Sequence, residues 1–229
     1  MSIFIAIGWI LLTVALYMLG RQIYKWFPTP FTLPLLSATA IMIVLLLCLN
    51  IPYNTYMKSG GEWISKLLGP AVVAFAIPLY KQRSILKKYI VPIIGGVVVG
   101  TMVAIVSDII IAFLFGADKS LILTTLPKSV TMPVAMSVSQ QIGGVPSLTA
   151  AFVLVAGITG AIVGPIILKW SRITNFIGKG IGFGCASHIM GVSRAMKNDE
   201  KEGIIGSVTM ILTAILTCLV GPLFARMFM

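Results

Sequence analysis

Apolar residues run along this chain in long blocks, without the alternation of a half-buried strand or the narrow stripe of a soluble helix. Ile3 to Leu19, Phe31 to Asn50, Ile90 to Phe115, Val145 to Trp170 and Ile204 to Phe228 each approach or exceed the roughly 20 residues that carry a helix across a bilayer. Two further blocks are irregular. Leu67 to Tyr80 is short and broken by Gly69-Pro70 and Pro78, and Gly178 to Ala195 is rich in glycine and holds the single histidine, His188. Between these blocks lies the polar stretch Leu126 to Gly144, L-P-K-S-V-T-M-P-V-A-M-S-V-S-Q-Q-I-G-G, with Lys128, four hydroxyl side chains and the pair Gln140-Gln141. An unpaired polar group in hydrocarbon costs several kcal/mol, so such a stretch must face protein or a watery cavity. Pro127 and Pro133 remove backbone donors and Gly143-Gly144 permit a sharp turn, which predicts a broken or re-entrant helix.

The pattern predicts an all-α polytopic membrane protein of about seven to eight segments, with broken helices among them, built as a single domain over residues 1–229. If residues 121–144 dip in and return while the other seven runs cross, Arg21, Lys25, Lys81, Arg83, Lys87, Lys88, Lys169, Arg172, Lys179 and Arg226 share the inner side, and every acid except Asp108 falls outside. A displacement of about 112 residues lays Pro34 on Pro146 and Ala74 on Ala186, which suggests an inverted repeat of residues 28–116 and 140–229 linked by the re-entrant segment. Gly157, Gly160 and Gly164 form one glycine face suited to close helix packing. Trp9, Tyr17, Tyr24 and Trp26 read as rings anchored at the membrane interface.

Composition agrees: 58% of the 229 residues are hydrophobic and 10% charged, against about 25% charged in soluble domains. The net charge of +11 sits in short connections between apolar runs, the pattern of loop anchoring rather than of nucleic-acid binding. Three cysteines, an odd number, all lie inside apolar runs, so neither a disulfide framework nor a metal site is expected. The first run lacks a preceding basic segment and a following cleavage site, and is expected to be a retained helix. There is no paired carboxylate in a span, no G-x-S-x-G elbow and no phosphate loop, so an enzyme is not expected and no cofactor is implied.

Two places carry chemistry. Lys128 is flanked by Ser129 and Thr131, and a small carboxylate could take a charge-assisted bond from the ammonium, hydroxyl bonds from its neighbours and backbone N–H groups at the helix break. The plainer reading is a lysine that snorkels to the surface. His188, preceded by Ser187, could bind the same carboxylate or carry a coupling proton, or simply bond a backbone carbonyl between packed helices. Asp108 could pair with Lys128 or relay protons, or lie exposed at the interface. Gln141 completes the expected substrate set, with Pro127, Pro133, Gly143, Gly144, Gly182 and Gly184 as backbone breaks and hinges.

The runs L-P-K-S-V-T-M-P-V-A (Leu126 to Ala135), S-Q-Q-I-G-G (Ser139 to Gly144) and G-x-A-S-H-x-x-G (Gly184 to Gly191) resemble the signature of the LrgB/CidB family. The resemblance implies a multi-pass protein of the bacterial cytoplasmic membrane working beside a small LrgA/CidA-type membrane protein. It also implies a link to murein hydrolase control, autolysis and programmed cell death. Plastid relatives exchange glycolate and glycerate, and bacterial relatives are tied to pyruvate uptake. Two expectations follow: a secondary transporter of small monocarboxylates, or a holin- or antiholin-like component in which the glycine faces assemble copies, such as a homodimer.

Overall fold

The computed structural model describes residues 3–29, 32, 34–67, 70, 73–74 and 76–228, and among them every regular element is helical. They fall into two compact units, Met1–Pro70 and Ala71–Met229. In the first, α1 (Ile3–Trp26) packs on α2 (Pro34–Cys48), and α3 (Tyr53–Tyr56) continues through a wide-turn stretch, Met57–Gly61, into α4 (Glu62–Lys66). The chain bends by 113° between Leu36–Cys48 and Tyr53–Ile64. Gly60 presses on Trp9, and the Trp9 ring meets Tyr56 edge-on at 5.3 Å. Trp9 is therefore a packing residue rather than an interface anchor, whereas Trp26, 71% exposed, keeps the anchor position.

The second unit contains α5 (Ala76–Lys81), α6 (Arg83–Lys88), α7 (Ile90–Leu114), α8 (Lys119–Thr125), α9 (Met132–Ile142), α10 (Pro146–Trp170), α11 (Phe176–Asn198) and α12 (Glu200–Ala225). Of the expected short span Leu67 to Tyr80, residues 68, 69, 71, 72 and 75 lie outside the described residues, and its last part belongs to α5. Among those described, four helices are long and apolar enough to cross a membrane: α1, α7, α10 and α12; the bent pair in the first unit would make five. The apolar window of α12 is 56% buried, against 11% to 22% for the others. It is thus the central helix of the second unit, and large apolar side chains such as Val91, Leu114 and Phe115 point outward, as a lipid-facing surface requires.

The expected crossing at Gly178 to Ala195 is not found. The backbone of α11 breaks at His188 (φ 40°, ψ −135°), and its two arms fold against each other. A Cβ on Gly191 of the second arm would lie 2.9 Å from the Phe183 carbonyl oxygen of the first. Along α12, the first arm runs parallel, with Gly180 against Glu202 and Gly184 against Gly206. The second runs antiparallel, with Val192 against Gly206 and Met196 against Gly203. The segment is a helical hairpin that returns to the end from which it started. The reason is local: Gly180, Gly184, Gly191, Gly203 and Gly206 leave no side chains in the way, and a Cβ at any of the first four would meet a neighbouring atom within 3.0 Å.

This hairpin changes the sidedness expected from the basic loops. Because α11 does not cross, Arg226 lies at the opposite end of α12 from Glu200, and Asp199, Glu200 and Glu202 join Lys169, Arg172 and Lys179 at one end. That end, which also receives Lys87 and Lys88 before α7, keeps the basic excess. The inverted pairing at 112 residues also fails for its last span. Gly96 and Gly100 of α7 meet Ile181 and Cys185 in the same direction, so α7 runs parallel to the first arm and hence to α12.

The hairpin makes a direct prediction. Single cysteines at Thr174 and Glu200, in a background without Cys48 and Cys218, are expected to react with an impermeant maleimide from the same face of the membrane, and a cysteine at Ser120 from the other. Labelling of Thr174→Cys and Glu200→Cys from opposite faces would mean that α11 spans.

Candidate functional site

The Leu126 to Gly144 segment is also a doubled-back structure. α8 stops at Thr125, a turn follows through Lys128, and α9 starts after Thr131 and ends at Gly143, whose φ of +86° suits glycine. Its open end is fastened to the first turn of α10. Thr149 Oγ1 donates to the Thr124 carbonyl at 2.8 Å and lies 2.7 Å from Ser139 Oγ, while the Val145 N–H donates to Thr124 Oγ1 at 2.9 Å. Gly144 must be small, since a Cβ there would sit 2.5 Å from Ser139 Oγ.

At the turn, Lys128 Nζ pairs with Asp108 Oδ1 of α7. The Asp108 side chain is 9% exposed and that of Lys128 28%, so Asp108 is not the interfacial acid that its place near a span end suggested. A buried carboxylate is tolerated only when paired, and Lys128 supplies that pairing. The same pairing means that the Lys128 ammonium is not a free cation waiting for an anion. Its neighbours remain usable: Ser129 is half-buried, and Thr131 is buried with an Oγ1 that has no hydrogen-bond partner. Thr131 sits at the N-cap of α9 without capping it, and Pro133 follows inside the first turn, so the positive end of the helix dipole faces this turn.

At the tip of the α11 hairpin, Ser187 and His188 are 2% and 3% exposed. His188 Nε2 lies 2.9 Å from the Val153 carbonyl of α10 and donates to it, which leaves Nδ1 the acceptor, buried and unpartnered. Gly157 and Gly160 form the seat: a Cβ on Gly157 would come within 2.5 Å of the imidazole, and one on Gly160 would collide with Ser187 Oγ. The glycine face of α10 is therefore consumed inside the chain, and is not free to assemble copies. Gly164, against Phe183, continues the same contact.

The two tips are linked through Val153. Its carbonyl holds His188, and its side chain belongs to the buried cluster that includes Leu126, Val130 and Val134 from the first doubled-back segment. Lys128, Ser129, Thr131 and Pro127 thus lie at one tip and Ser187 and His188 at the other. Gln141 stands apart, exposed near the far end of α9, about 15 Å of helix from Thr131. Gly182 and Gly184 lie in regular helix, where Gly184 serves close approach to Gly206 and Thr209; the break is at His188. Sequence reasoning passed over Thr101 of α7 and Thr209 of α12, whose buried Oγ1 atoms also lack partners. Thr209, Thr213 and Thr217 recur every fourth residue on the buried face of α12, a signal that the sequence does carry.

The chain matches the model of the LrgB-like family over residues 13–227. The chain belongs to the LrgB-like family. It is 48% identical over 224 residues to YxaC of Bacillus subtilis, covering 98% of this chain and 97% of that protein. It is 37% identical over 219 residues to the holin-like protein CidB of Staphylococcus aureus, covering 96% and 95%. No solved structure matches it. The three motifs that carried the resemblance thus fall, in this LrgB-like protein, at the two tips and at the fastened end of the first doubled-back segment.

The ion pair sets an expectation. Asp108→Asn leaves a partly buried ammonium without its partner and should cost about 2–4 kcal/mol, less than a fully buried pair because Lys128 is partly exposed. The double variant Asp108→Asn/Lys128→Met should recover most of that loss in detergent unfolding experiments. Additive losses would mean that the two side chains do not interact.

Proposed function

We propose that this chain is a holin-like component of the bacterial cytoplasmic membrane that, with a small LrgA/CidA-type membrane protein, sets membrane permeability and thereby cell lysis. The observation that carries the reading is the near full-length likeness to CidB, a protein named holin-like. No enzymatic step is part of it. The internal use of the Gly157–Gly160 face moves any assembly surface elsewhere, to the outward apolar sides of the spans.

A second reading has its own support: secondary transport of a small monocarboxylate such as pyruvate, glycolate or glycerate. Two interrupted segments share Val153, one through a common buried cluster and the other through a hydrogen bond to its carbonyl; the first is fastened to the start of α10 and the second enters along its C-terminal end. Interrupted helices whose ends meet inside the membrane, rich in unpartnered polar atoms, are the usual setting of a carrier site. The order span then doubled-back segment occurs twice, as α7 with α8–α9 and as α10 with α11. The starts lie 56 residues apart for the spans, Ile90 and Pro146, and 57 for the segments, Lys119 and Phe176. We infer an inverted repeat of this shorter unit in place of the 112-residue one, because α7 and α10 run in opposite directions. In this reading the carboxylate takes hydroxyl and backbone N–H bonds at Thr131 and Ser129, with the Lys128–Asp108 pair rearranging to admit it, and His188 Nδ1 accepts a coupling proton.

One paired experiment separates the readings. In cells without their own homologues, the chain expressed with the small partner is expected to change dye entry and lysis timing; unchanged permeability in both would refute the holin-like reading. In liposomes, the carrier reading expects saturable pyruvate or glycolate uptake that His188→Gln, inserted normally, lowers about tenfold or more; absent or mutation-insensitive uptake refutes it.

A further inference from the structure

A cavity of about 420 Å³ opens between the last turn of α10 and the two arms of the α11 hairpin. Lys179 and Phe183 reach it from the first arm, and Arg194 and Asn198 from the second. Its one carboxylate, Glu202 of α12, is already occupied: Lys179 Nζ lies 2.9 Å from one oxygen and Asn198 Nδ2 donates to the other at 2.6 Å. Lys169, Arg172 and Arg194 line the same cavity and form no ion pair with any described carboxylate. Three positive charges therefore face one pocket without compensation.

Apart from Thr174 the rest of the wall is apolar, with Leu168 and Phe183 toward the membrane interior. Trp170, 81% exposed at the end of the α10 span, sets the mouth at the level of the lipid headgroups. We infer that this cavity binds the headgroup phosphate of an anionic phospholipid, with the first carbons of the tail against Leu168 and Phe183. A phosphodiester takes two parallel bonds from an arginine fork, and Arg172 and Arg194 approach from different elements. The apolar floor distinguishes a lipid from a free phosphate, which gains nothing from it. The basic end of the molecule also faces the leaflet in which anionic lipids attract cations. Because Arg172 lies just ahead of the first arm and Arg194 belongs to the second, the bound phosphate braces the open end of the hairpin whose tip carries His188.

The test uses the purified full chain in a neutral detergent, titrated with short-chain phosphatidylglycerol, with phosphatidylcholine of the same chain length, and with glycerol phosphate. Phosphatidylglycerol alone is expected to raise the unfolding temperature saturably. In Arg172→Gln/Arg194→Gln, both exposed positions, the apparent affinity should fall about tenfold or more. Lys87→Gln/Lys88→Gln, the same change of charge elsewhere at that end, should leave it unchanged, and unfolding without lipid checks that each variant is folded. An equal response to phosphatidylcholine, or an unchanged affinity in the double arginine variant, overturns the proposal. An equal response to glycerol phosphate overturns the lipid assignment in favour of a soluble anion.

Discussion

The fold rests on how closely helix backbones approach one another around α11. A broken helix exposes N–H and C=O groups that hydrocarbon cannot satisfy, so the break must be walled by protein. Gly157 and Gly160 of α10 and Gly203 and Gly206 of α12 supply that wall, letting the two neighbours close on the hairpin where any larger residue would hold them apart. Once seated, the tip bonds the Val153 carbonyl, and Val153 in turn belongs to the same buried cluster as Leu126 and Val130 of the turn that holds Lys128. Close packing is therefore what turns two irregular segments into one buried polar region. Van der Waals contact between small residues is the main cohesive force available, because lipid offers no hydrophobic drive for helices to meet.

Much of this was legible in the chain. Spans were readable because twenty apolar residues leave few alternatives, and the break at 126–131 followed from Pro127, Pro133 and the Gly143–Gly144 turn, which act locally. The hairpin at α11 was not, because its reversal occurs at a histidine rather than at Gly182 or Gly184. In regular helix those glycines speak for packing, and only the partner helix shows which role applies. Of the readings open for Asp108, pairing with Lys128 is the one found, and interfacial exposure is not. Its distance along α7 from the span end says nothing of the lysine that another segment brings to it. Gln141 shares a polar run with Lys128 but not a place, since nearly the whole length of α9 carries it away.

The Lys128–Asp108 pair bears on both functional readings. It keeps the first tip electrically neutral, so a carboxylate arriving there meets dipoles and hydroxyls before it meets a net charge. In a holin-like role the same pair is a clasp between α7 and the turn, and the polar atoms left over at Thr101, Thr131 and Thr209 are places where water can wet the packed helices.

The hairpin also dictates an order of assembly. Its second arm, with Arg194, Lys197 and Asn198, does not partition into hydrocarbon by itself, and its carbonyls at the break have no shelter until both neighbours are in place. Yet one of those neighbours, α12, is synthesised only after the hairpin itself. While the ribosome is still completing the chain, α10 can partition into the bilayer by itself, whereas α11 must wait at the surface for α12 to arrive and then fold inward with it. The twenty-six residues of α12 are in this sense a built-in chaperone for the segment before them, and a chain cut short ahead of α12 would reach the membrane with its most specialised part unfolded.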